Sequence, residues 1–276
     1  MFSEDLLPIV RPLPSDRVGL VYAGGIDADG VILGGRVRSP TSGETYEVKD
    51  GYLDLTKARV GAYSAANLTN FLPGAGAAYE PLWRVHSLTL LTGEPFPTER
   101  ELEMISDLVG LERGGRYLDL GSSAGLYTRR LARSLGERGD VIGVDISPSM
   151  LREAARRARN TGVRVSLARA DAHHLPFAEG SFSGVVCGGT LNELADPSRA
   201  LRETYRVLEP GGRLAIMGIL RATSPRGRRL QRLLSVGGIR FFDPDELMSM
   251  LDHAGFDPDP LRRRALIFFA GAASRG

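Results

Sequence analysis

The chain has 276 residues, which is enough for one large domain and a small one. Its hydrophobic content of 42% allows a packed core, and its formal net charge of +2 is too small to indicate a nucleic-acid partner. Cys187 is the only cysteine, which excludes an intrachain disulfide and a structural zinc site of several thiolates. Because no apolar run is long enough to span a bilayer and the first residues make a poor signal peptide, we expect a cytoplasmic protein.

The first 60 residues have the pattern of short strands joined by tight turns. Pairs such as Gly24-Gly25, Asp29-Gly30 and Asp50-Gly51 interrupt short apolar stretches, which is typical of β-hairpins. We therefore predict a small β module at 1–60. Residues 61–97 are rich in Gly, Ala and Pro and are predicted to form a connector or lid, with one short helix near Tyr79–Leu91.

From Thr98 onward, strand and helix patterns alternate, and 98–276 is predicted to be one cofactor-binding domain. Thr98 and Glu101 form a capping-box pattern, and Ser147-Pro148, Asp196-Pro197 and Asp243-Pro244 are helix-start signals. Such alternation predicts an α/β fold: a Rossmann-like, seven-stranded, mostly parallel sheet with helices on both faces. Strands are predicted at 117–120, 141–145, 163–168, 182–187, 213–219 and 266–271, and helices at 98–109, 126–135, 148–160, 197–208 and 244–254.

A glycine-rich turn at 119–125 links the first strand of this domain to its helix. Gly121 and Gly125 permit unusual dihedrals and close approach of a ligand, and the helix start offers free N–H groups. Such a turn serves several nucleotide cofactors. Asp119 separates them, because its carboxylate would repel a pyrophosphate but attract the ammonium and sulfonium groups of S-adenosylmethionine.

Three further strand ends complete the predicted cofactor site. Asp145 ends the next strand, 24 residues after Gly121, and is placed to accept from the ribose hydroxyls. Asp171 is expected to accept from the adenine amino group, with the Ala172 N–H facing a ring nitrogen, and Gly188 leaves room near the sulfonium. The predicted S-adenosylmethionine site comprises Asp119, Gly121, Ser122, Ser123, Gly125, Asp145, Ile146, Met150, Asp171, Ala172 and Gly188.

From Tyr117 to about Gly218 the chain resembles class I methyltransferases that C-methylate ubiquinone and menaquinone precursors. The resemblance implies S-adenosylmethionine as the methyl donor. Two departures stand out: Ser123 replaces the usual glycine of the first loop, and Ser183-Gly184 replaces the usual Asp of the fourth strand. The motifs that carry the resemblance are Tyr117–Gly125, Gly143–Met150, Asp171–Phe177, Tyr205–Arg213 and Glu246–Phe256.

The N-terminal module resembles a small zinc ribbon found ahead of some methyltransferases, through the stretch Arg38–Leu55. The resemblance would put its metal ligands at Leu20, Ala23, Ser39 and Ser42. None of these side chains holds zinc as a thiolate does, so no metal is predicted and we expect the module to be held by packing alone.

Methyl transfer is an in-line displacement that mainly requires alignment of the acceptor and exclusion of water. A general base is needed only if the acceptor must lose a proton. The candidates for acceptor chemistry are Glu193 and Asn192, which follow the fourth strand, and His86, with Tyr79 as a weaker candidate; His173 and His174 are expected on a surface turn.

Two regions are predicted to select the acceptor: the connector 61–97 and the insertion Arg221–Arg240. In the insertion, Leu230, Leu233 and Leu234 either close an apolar pocket or belong to a surface amphipathic helix.

The favoured function is methylation of a small apolar or aromatic acceptor such as a quinone precursor, polyketide or lipid. The alternatives are an RNA base methyltransferase and a non-catalytic protein that binds the cofactor. The acceptor, the methylated atom and the oligomeric state stay open.

Overall fold

The computed structural model describes residues 2–28, 30–56 and 94–276, and its strands form one mixed sheet. The helices are α1 (Thr98–Val109), α2 (Leu126–Leu135), α3 (Pro148–Asn160), α4 (Pro197–Val207), α5 (Pro225–Val236) and α6 (Pro244–His253). The strands are β1 (Phe2–Ser3), β2 (Val21–Ala28), β3 (Val31–Arg38), β4 (Thr45–Lys49), β5 (Tyr52–Asp54), β6 (Gly115–Leu120), β7 (Gly139–Asp145), β8 (Ser166–Arg169), β9 (Phe182–Gly188), β10 (Leu208–Ile219), β11 (Phe256–Pro258), β12 (Arg262–Arg264) and β13 (Ile267–Ser274).

The centre of the sheet is parallel, in the order β8-β7-β6-β9-β10, and β13 joins β10 antiparallel. Its strands carry the apolar residues of the core, such as Leu118, Ile142, Val185 and Ile216, all buried. The predicted α/β class is confirmed. Strand order reverses between β6 and β9, and in such sheets ligands bind at the carboxyl ends of the strands beside this reversal.

The N-terminal strands extend the same sheet. β5 pairs parallel with β8, and β4, β3 and β1 follow outward as antiparallel neighbours. The predicted Asp50-Gly51 turn between β4 and β5 is confirmed, with φ of 53° and 88°. An added Cβ at Gly51 would clash with Ala155 of α3, so this turn packs directly on the larger part of the chain.

A buried hydrogen bond between Ser39 and Asp16 lies where the zinc-ribbon resemblance would place metal ligands. The Ser39 hydroxyl donates to Asp16 Oδ1 at 2.5 Å and accepts from the Ser42 N–H at 3.1 Å, while Asp16 Oδ2 accepts from the Leu13 N–H. Leu20 packs in the core. The expectation that packing alone holds the module was therefore wrong, because a hydrogen-bonded carboxylate spans the turn.

Helix starts follow the predicted signals with one exception. Ser147 accepts from the Met150 N–H and Asp196 accepts from the Arg199 N–H, each followed by the expected proline. The capping box at the start of α1 was wrong: Pro97 is the N-cap, and the Glu101 side chain turns inward. Glu101 shares the buried face of α1 with Ile105 and Leu108, and this placement overrides the local pattern. No helix in the described part of the chain is long and apolar enough to cross a membrane.

Candidate active site

The loop after β6 is fixed by backbone hydrogen bonds to β7. The Gly121 and Ser122 N–H groups both donate to Val144 O, at 2.9 and 2.8 Å, and the Gly125 N–H closes the turn on Ser122 O. Gly125 has a φ of 76°, and an added Cβ would lie 2.9 Å from Ala154 Cβ in α3. The unusual dihedrals predicted for both glycines are confirmed, with a φ of 72° at Gly121. The close packing at these positions was not predicted, and the close approach of a ligand stays a prediction.

Ser123 adopts the left-handed conformation expected of the glycine it replaces, with a φ of 50°. This conformation costs a residue with a Cβ about 1–2 kcal/mol. Two contacts offset that strain: the Ser123 N–H donates to Asp145 Oδ2 at 2.8 Å, and its hydroxyl lies 3.5 Å from the Met150 sulfur. The departure from the family pattern is accommodated in this way.

Asp145 lies at the carboxyl end of β7 and is only partly exposed. Its second oxygen accepts from the Ser147 N–H at 2.8 Å. Burial raises the pKa of Asp145, although the N–H groups of Ser147, Ser123 and Ile146 act in the opposite direction. The side chain is thus an oriented acceptor at the position predicted to meet a ribose.

Asp119 is buried beneath the loop. Its Oδ2 accepts from both the Thr128 N–H at 2.8 Å and the Thr128 hydroxyl at 2.6 Å. The carboxylate therefore stabilises the first turn of α2, near its N-terminus, where a negative charge is favourable. Its attraction for the cofactor stays a prediction, and from this buried position the carboxylate would act through space.

Asp171 and His173 form a compact pair in the loop after β8. Asp171 Oδ1 accepts from the His173 N–H at 2.9 Å and lies 2.8 Å from the ring Nδ1, while His173 Nε2 accepts from the Asp196 N–H. Burial alone would raise the pKa of Asp171, but these bonds and the nearby His174 hold it below its usual value. The predicted turn is confirmed for His173 and His174, but the His173 side chain is only 12% exposed, and it joins the predicted adenine loop to the start of α4.

Two side chains close around the glycines at the end of β9 and the start of the first loop. The Tyr127 ring fills the space that a Cβ at Gly188 would occupy, and Thr190 does the same at Gly121. The Tyr127 hydroxyl donates to the buried Glu101 carboxylate. Sequence reasoning missed Tyr127, Thr190 and Glu101, although an acid on an apolar helix face is a signal that could have found Glu101.

Glu193 stands at the end of the short 3-10 helix Thr190–Glu193 that follows β9. Burial and the charge of Asp145 raise the pKa of Glu193 to about 7. Burial, then the charges of Asp119 and Glu193, raises the pKa of the Cys187 thiol to about 12, so this thiol stays protonated. The charge of Asp145 thus acts on Glu193, and the charges of Asp119 and Glu193 act on Cys187 at the end of β9.

Asn192 is buried, and its amide is engaged by the backbone. Nδ2 donates to Ile219 O at 2.9 Å and to Arg240 O at 2.6 Å, and Oδ1 accepts from the Ile219 N–H at 2.9 Å. These bonds join the end of β10 to the end of the α5 insertion. We therefore assign Asn192 a bracing role instead of the predicted acceptor chemistry. His86 and Tyr79 lie outside the described residues.

The donors and charges at this edge suit an adenosine that bears a positive group. Asp145 offers carboxylate oxygens at the end of β7, and a negative charge there and at the buried Asp119, at the end of β6, would repel a pyrophosphate. Beside them, no atom lies within 4 Å of the Cβ position at Gly189, which leaves open space at the end of β9. The fold and site thus define an α/β protein that binds a nucleoside cofactor with a cationic end.

Comparisons with known proteins agree with this class. Residues 118–216 match the model of a methyltransferase domain. The chain is 34% identical over 175 residues to the ubiquinone/menaquinone biosynthesis C-methyltransferase UbiE of Haemophilus ducreyi, covering 55% of this chain and 68% of that protein. It is 39% identical over 113 residues to the protein of the same name from Pasteurella multocida, covering 40% of this chain and 42% of that protein.

Solved structures show the same fold. A phosphoethanolamine N-methyltransferase 2 of Haemonchus contortus, in complex with S-adenosylhomocysteine, is 18% identical, with a TM-score of 0.64 over 79% of this chain and 61% of that one. The [4+2]-cyclase SpnF is 19% identical, with a TM-score of 0.58 over 79% of this chain and 99% of that one. The chain belongs to the class I S-adenosylmethionine-dependent methyltransferases, and S-adenosylmethionine is its cofactor.

Proposed function

We propose that this methyltransferase transfers the methyl group to a ring carbon of a small, phenolic, quinone-precursor-like acceptor. The similarity to C-methyltransferases named for ubiquinone and menaquinone biosynthesis supports this acceptor class. The non-catalytic alternative is set aside, because the matched relatives are enzymes. The residues that hold the cofactor are proposed to be those of the loops after β6, β7 and β8.

The observation that carries the proposal is the Glu193 carboxyl group. A phenolic ring becomes nucleophilic at carbon when its hydroxyl loses a proton, and this step needs a base. A carboxyl group whose pKa is raised to about 7 by burial and by Asp145 is a far better proton acceptor than an ordinary glutamate. Glu193 follows β9, on the side of the strand reversal away from the proposed ribose contact.

S-adenosylmethionine supplies a methyl group already activated by its positive sulfonium. Glu193 would accept the acceptor's hydroxyl proton and so make the ring carbon nucleophilic toward that methyl group, with the sulfur leaving as the neutral thioether. After releasing this proton to water, Glu193 would accept the proton of the methylated ring carbon, which restores the aromatic ring. Asn192 and Thr190 hold the Thr190–Glu193 helix in place, so the protein's contribution is alignment and proton removal.

The test compares the wild-type protein with Glu193→Gln between pH 5 and 9, using labelled methyl donor and a demethylated hydroquinone. Because the base acts in its deprotonated form, the wild-type rate should rise through about pH 7, the pKa of Glu193. We expect the variant to lose this rise and to be about 10²–10⁴-fold slower.

Cofactor affinity should stay within about twofold in Glu193→Gln, and the exposed Glu179→Gln should behave as wild type. Label found only in RNA from host extracts would overturn the acceptor class. An unchanged pH profile in Glu193→Gln would overturn the role of this residue.

A further inference from the structure

Helix α5 is almost entirely exposed, although it lies in the insertion beside the proposed acceptor site. Its apolar side chains are 59% exposed at Leu230, 70% at Leu233, 42% at Leu234 and 83% at Val236. Single exposed apolar residues are ordinary on protein surfaces, but four within one twelve-residue helix mark an interaction surface. We call this helix and its flanking arginines the α5 surface.

The leucines share one face of the helix. Leu230, Leu233 and Leu234 are three and four residues apart, so they project together. The buried residue of α5 is Gln231, whose amide accepts from the Ala222 N–H at 2.7 Å and donates to Leu220 O at 2.9 Å. Because Gln231 lies about 100° away around the helix from Leu230, the contact that anchors α5 leaves the leucine face open.

The same helix carries Arg226, Arg228, Arg229 and Arg232, all exposed. No ion pair joins any of these four to a carboxylate in the described part of the chain. The arginines of β12 are also exposed. Arg264 at the end of β12 pairs with Ile267 of β13, and Ile267 pairs in turn with Ile219 at the carboxyl end of β10. The apolar face of α5 is thus accompanied by a concentration of positive charge at the edge of the sheet that bears the active site.

We propose that the α5 surface docks on an anionic lipid bilayer, with its leucines in the outer acyl region and its arginines among the headgroups. Exposed leucines combined with arginines on one helix are the features of interfacial helices. A nucleic acid would contact the arginines but would leave the leucine face exposed to solvent. Charge complementarity and the apolar face together therefore favour an anionic membrane.

Docking would place the acceptor side of the enzyme against the bilayer. Asn192 bonds both Ile219, just before the insertion, and Arg240, near its end, so α5 is tied to the turn that bears Glu193. An apolar acceptor dissolved in the membrane could then enter from the docked side. This last step rests on the proposed acceptor class, whereas membrane binding itself does not.

The test is flotation of the 276-residue chain with vesicles of phosphatidylcholine alone or with about 30% phosphatidylglycerol, without cofactor or acceptor. Binding is expected to the anionic vesicles and to weaken as salt rises. The double variant Leu233→Ser/Leu234→Ser should bind about tenfold more weakly. Each of Arg229→Gln and Arg232→Gln should lower binding about fivefold.

Leu33→Ser, at a leucine of β3 that is as exposed as Leu234, and Arg133→Gln, on α2, are the matched controls and should bind as wild type. Equal binding to neutral vesicles, no binding to either kind, or losses as large in the controls would overturn the proposal. Conversion of a dimer to a monomer by the leucine variant, without change in flotation, would show that a second copy occupies the face. Binding of RNA that depends on the arginines but not on the leucines would likewise overturn it.

Discussion

The carboxyl edge of the sheet has two halves that are built in different ways. In the cofactor half, the loop after β6 is held by main-chain bonds from Gly121 and Ser122 to Val144. In the acceptor half, the segments after β9 and β10 also have main-chain bonds, such as that from the Arg240 N–H to Asn192 O, but two buried side-chain amides, those of Asn192 and Gln231, brace them as well. A backbone-built loop tolerates little change of conformation, whereas side-chain braces leave the segment between them free to vary in sequence.

The two halves of this chain therefore depend on different residues. The cofactor half depends on glycines at fixed positions. The acceptor half depends also on amides that reach specific backbone groups at the base of the insertion, and most side chains of α5 itself are exposed. Substitutions in the cofactor half should therefore weaken cofactor binding, whereas substitutions in the acceptor half should raise the KM for the acceptor.

The largest effect is expected at Gly121, where the two halves touch. Gly121→Ala adds a Cβ at a φ of 72° and drives it into the Thr190 side chain. The left-handed conformation costs about 1–2 kcal/mol and the overpacking about 1–3 kcal/mol, so the free energy of unfolding should fall by about 2–5 kcal/mol. Urea unfolding and cofactor titration measure the loss of stability and of S-adenosylmethionine binding.

Gly189→Ala is the matched control for that variant. Gly189 has a φ of 84°, but no atom lies within 4 Å of its Cβ position. It should show only the conformational cost, about 1–2 kcal/mol. Equal losses in the two variants would show that the contact between Gly121 and Thr190 contributes nothing.

The next effect should come from Asn192→Ala in the acceptor half. This change removes three partly buried hydrogen bonds to the backbone of Ile219 and Arg240, at about 0.5–1.5 kcal/mol each. We expect a stability loss of about 2–4 kcal/mol and a higher KM for the acceptor, with cofactor affinity unchanged. Asn160→Ala, at an exposed asparagine that ends α3, should change neither property.

A weaker cofactor affinity in Asn192→Ala, as large as the change in KM, would contradict the division into two halves. Steady-state kinetics with each substrate varied in turn separates these outcomes.

Features that local sequence decides were predicted, and features that depend on distant contacts were not. Helix starts at Ser147 and Asp196 and the turns at Gly125 and Asp50-Gly51 were predicted, because local chemistry decides them. The fold class followed from strand and helix periodicity, with β11 and β12 missed because each has only three residues.

Contacts between residues far apart in the chain were not predicted from the sequence. Glu101 matched a capping box, yet it pairs with Tyr127, 26 residues away. His173 looked like a surface residue, but its ring accepts from the Asp196 N–H, 23 residues away. In both cases a tertiary partner outweighed the local pattern, and a single sequence does not show which partner that is.

A smaller effect is expected for Asp145→Ala in the cofactor half. The change removes an oriented acceptor for ribose hydroxyls, so the binding free energy of S-adenosylmethionine should weaken by about 1–3 kcal/mol. Calorimetric titration measures it, and Asp140→Ala, at an exposed residue near the start of the same strand, is the control. Unchanged affinity in Asp145→Ala would contradict the proposed ribose contact and leave the cofactor half without its acceptor.

The smallest effect tests whether a side-chain brace far from the carboxyl edge influences catalysis. Ser39→Ala removes the hydroxyl that joins Asp16 to the Ser42 N–H, and should lower the free energy of unfolding by about 1–2 kcal/mol. Ser42→Ala, at an exposed hydroxyl in the same turn, should change stability by less than about 0.5 kcal/mol. Both variants should keep the wild-type KM for cofactor and acceptor, because neither residue contacts the loops that follow β6 to β10. A change in either KM on Ser39→Ala would mean that the N-terminal strands act through β5 and β8 on the cofactor half. The division of the carboxyl edge into a cofactor half and an acceptor half would then be incomplete.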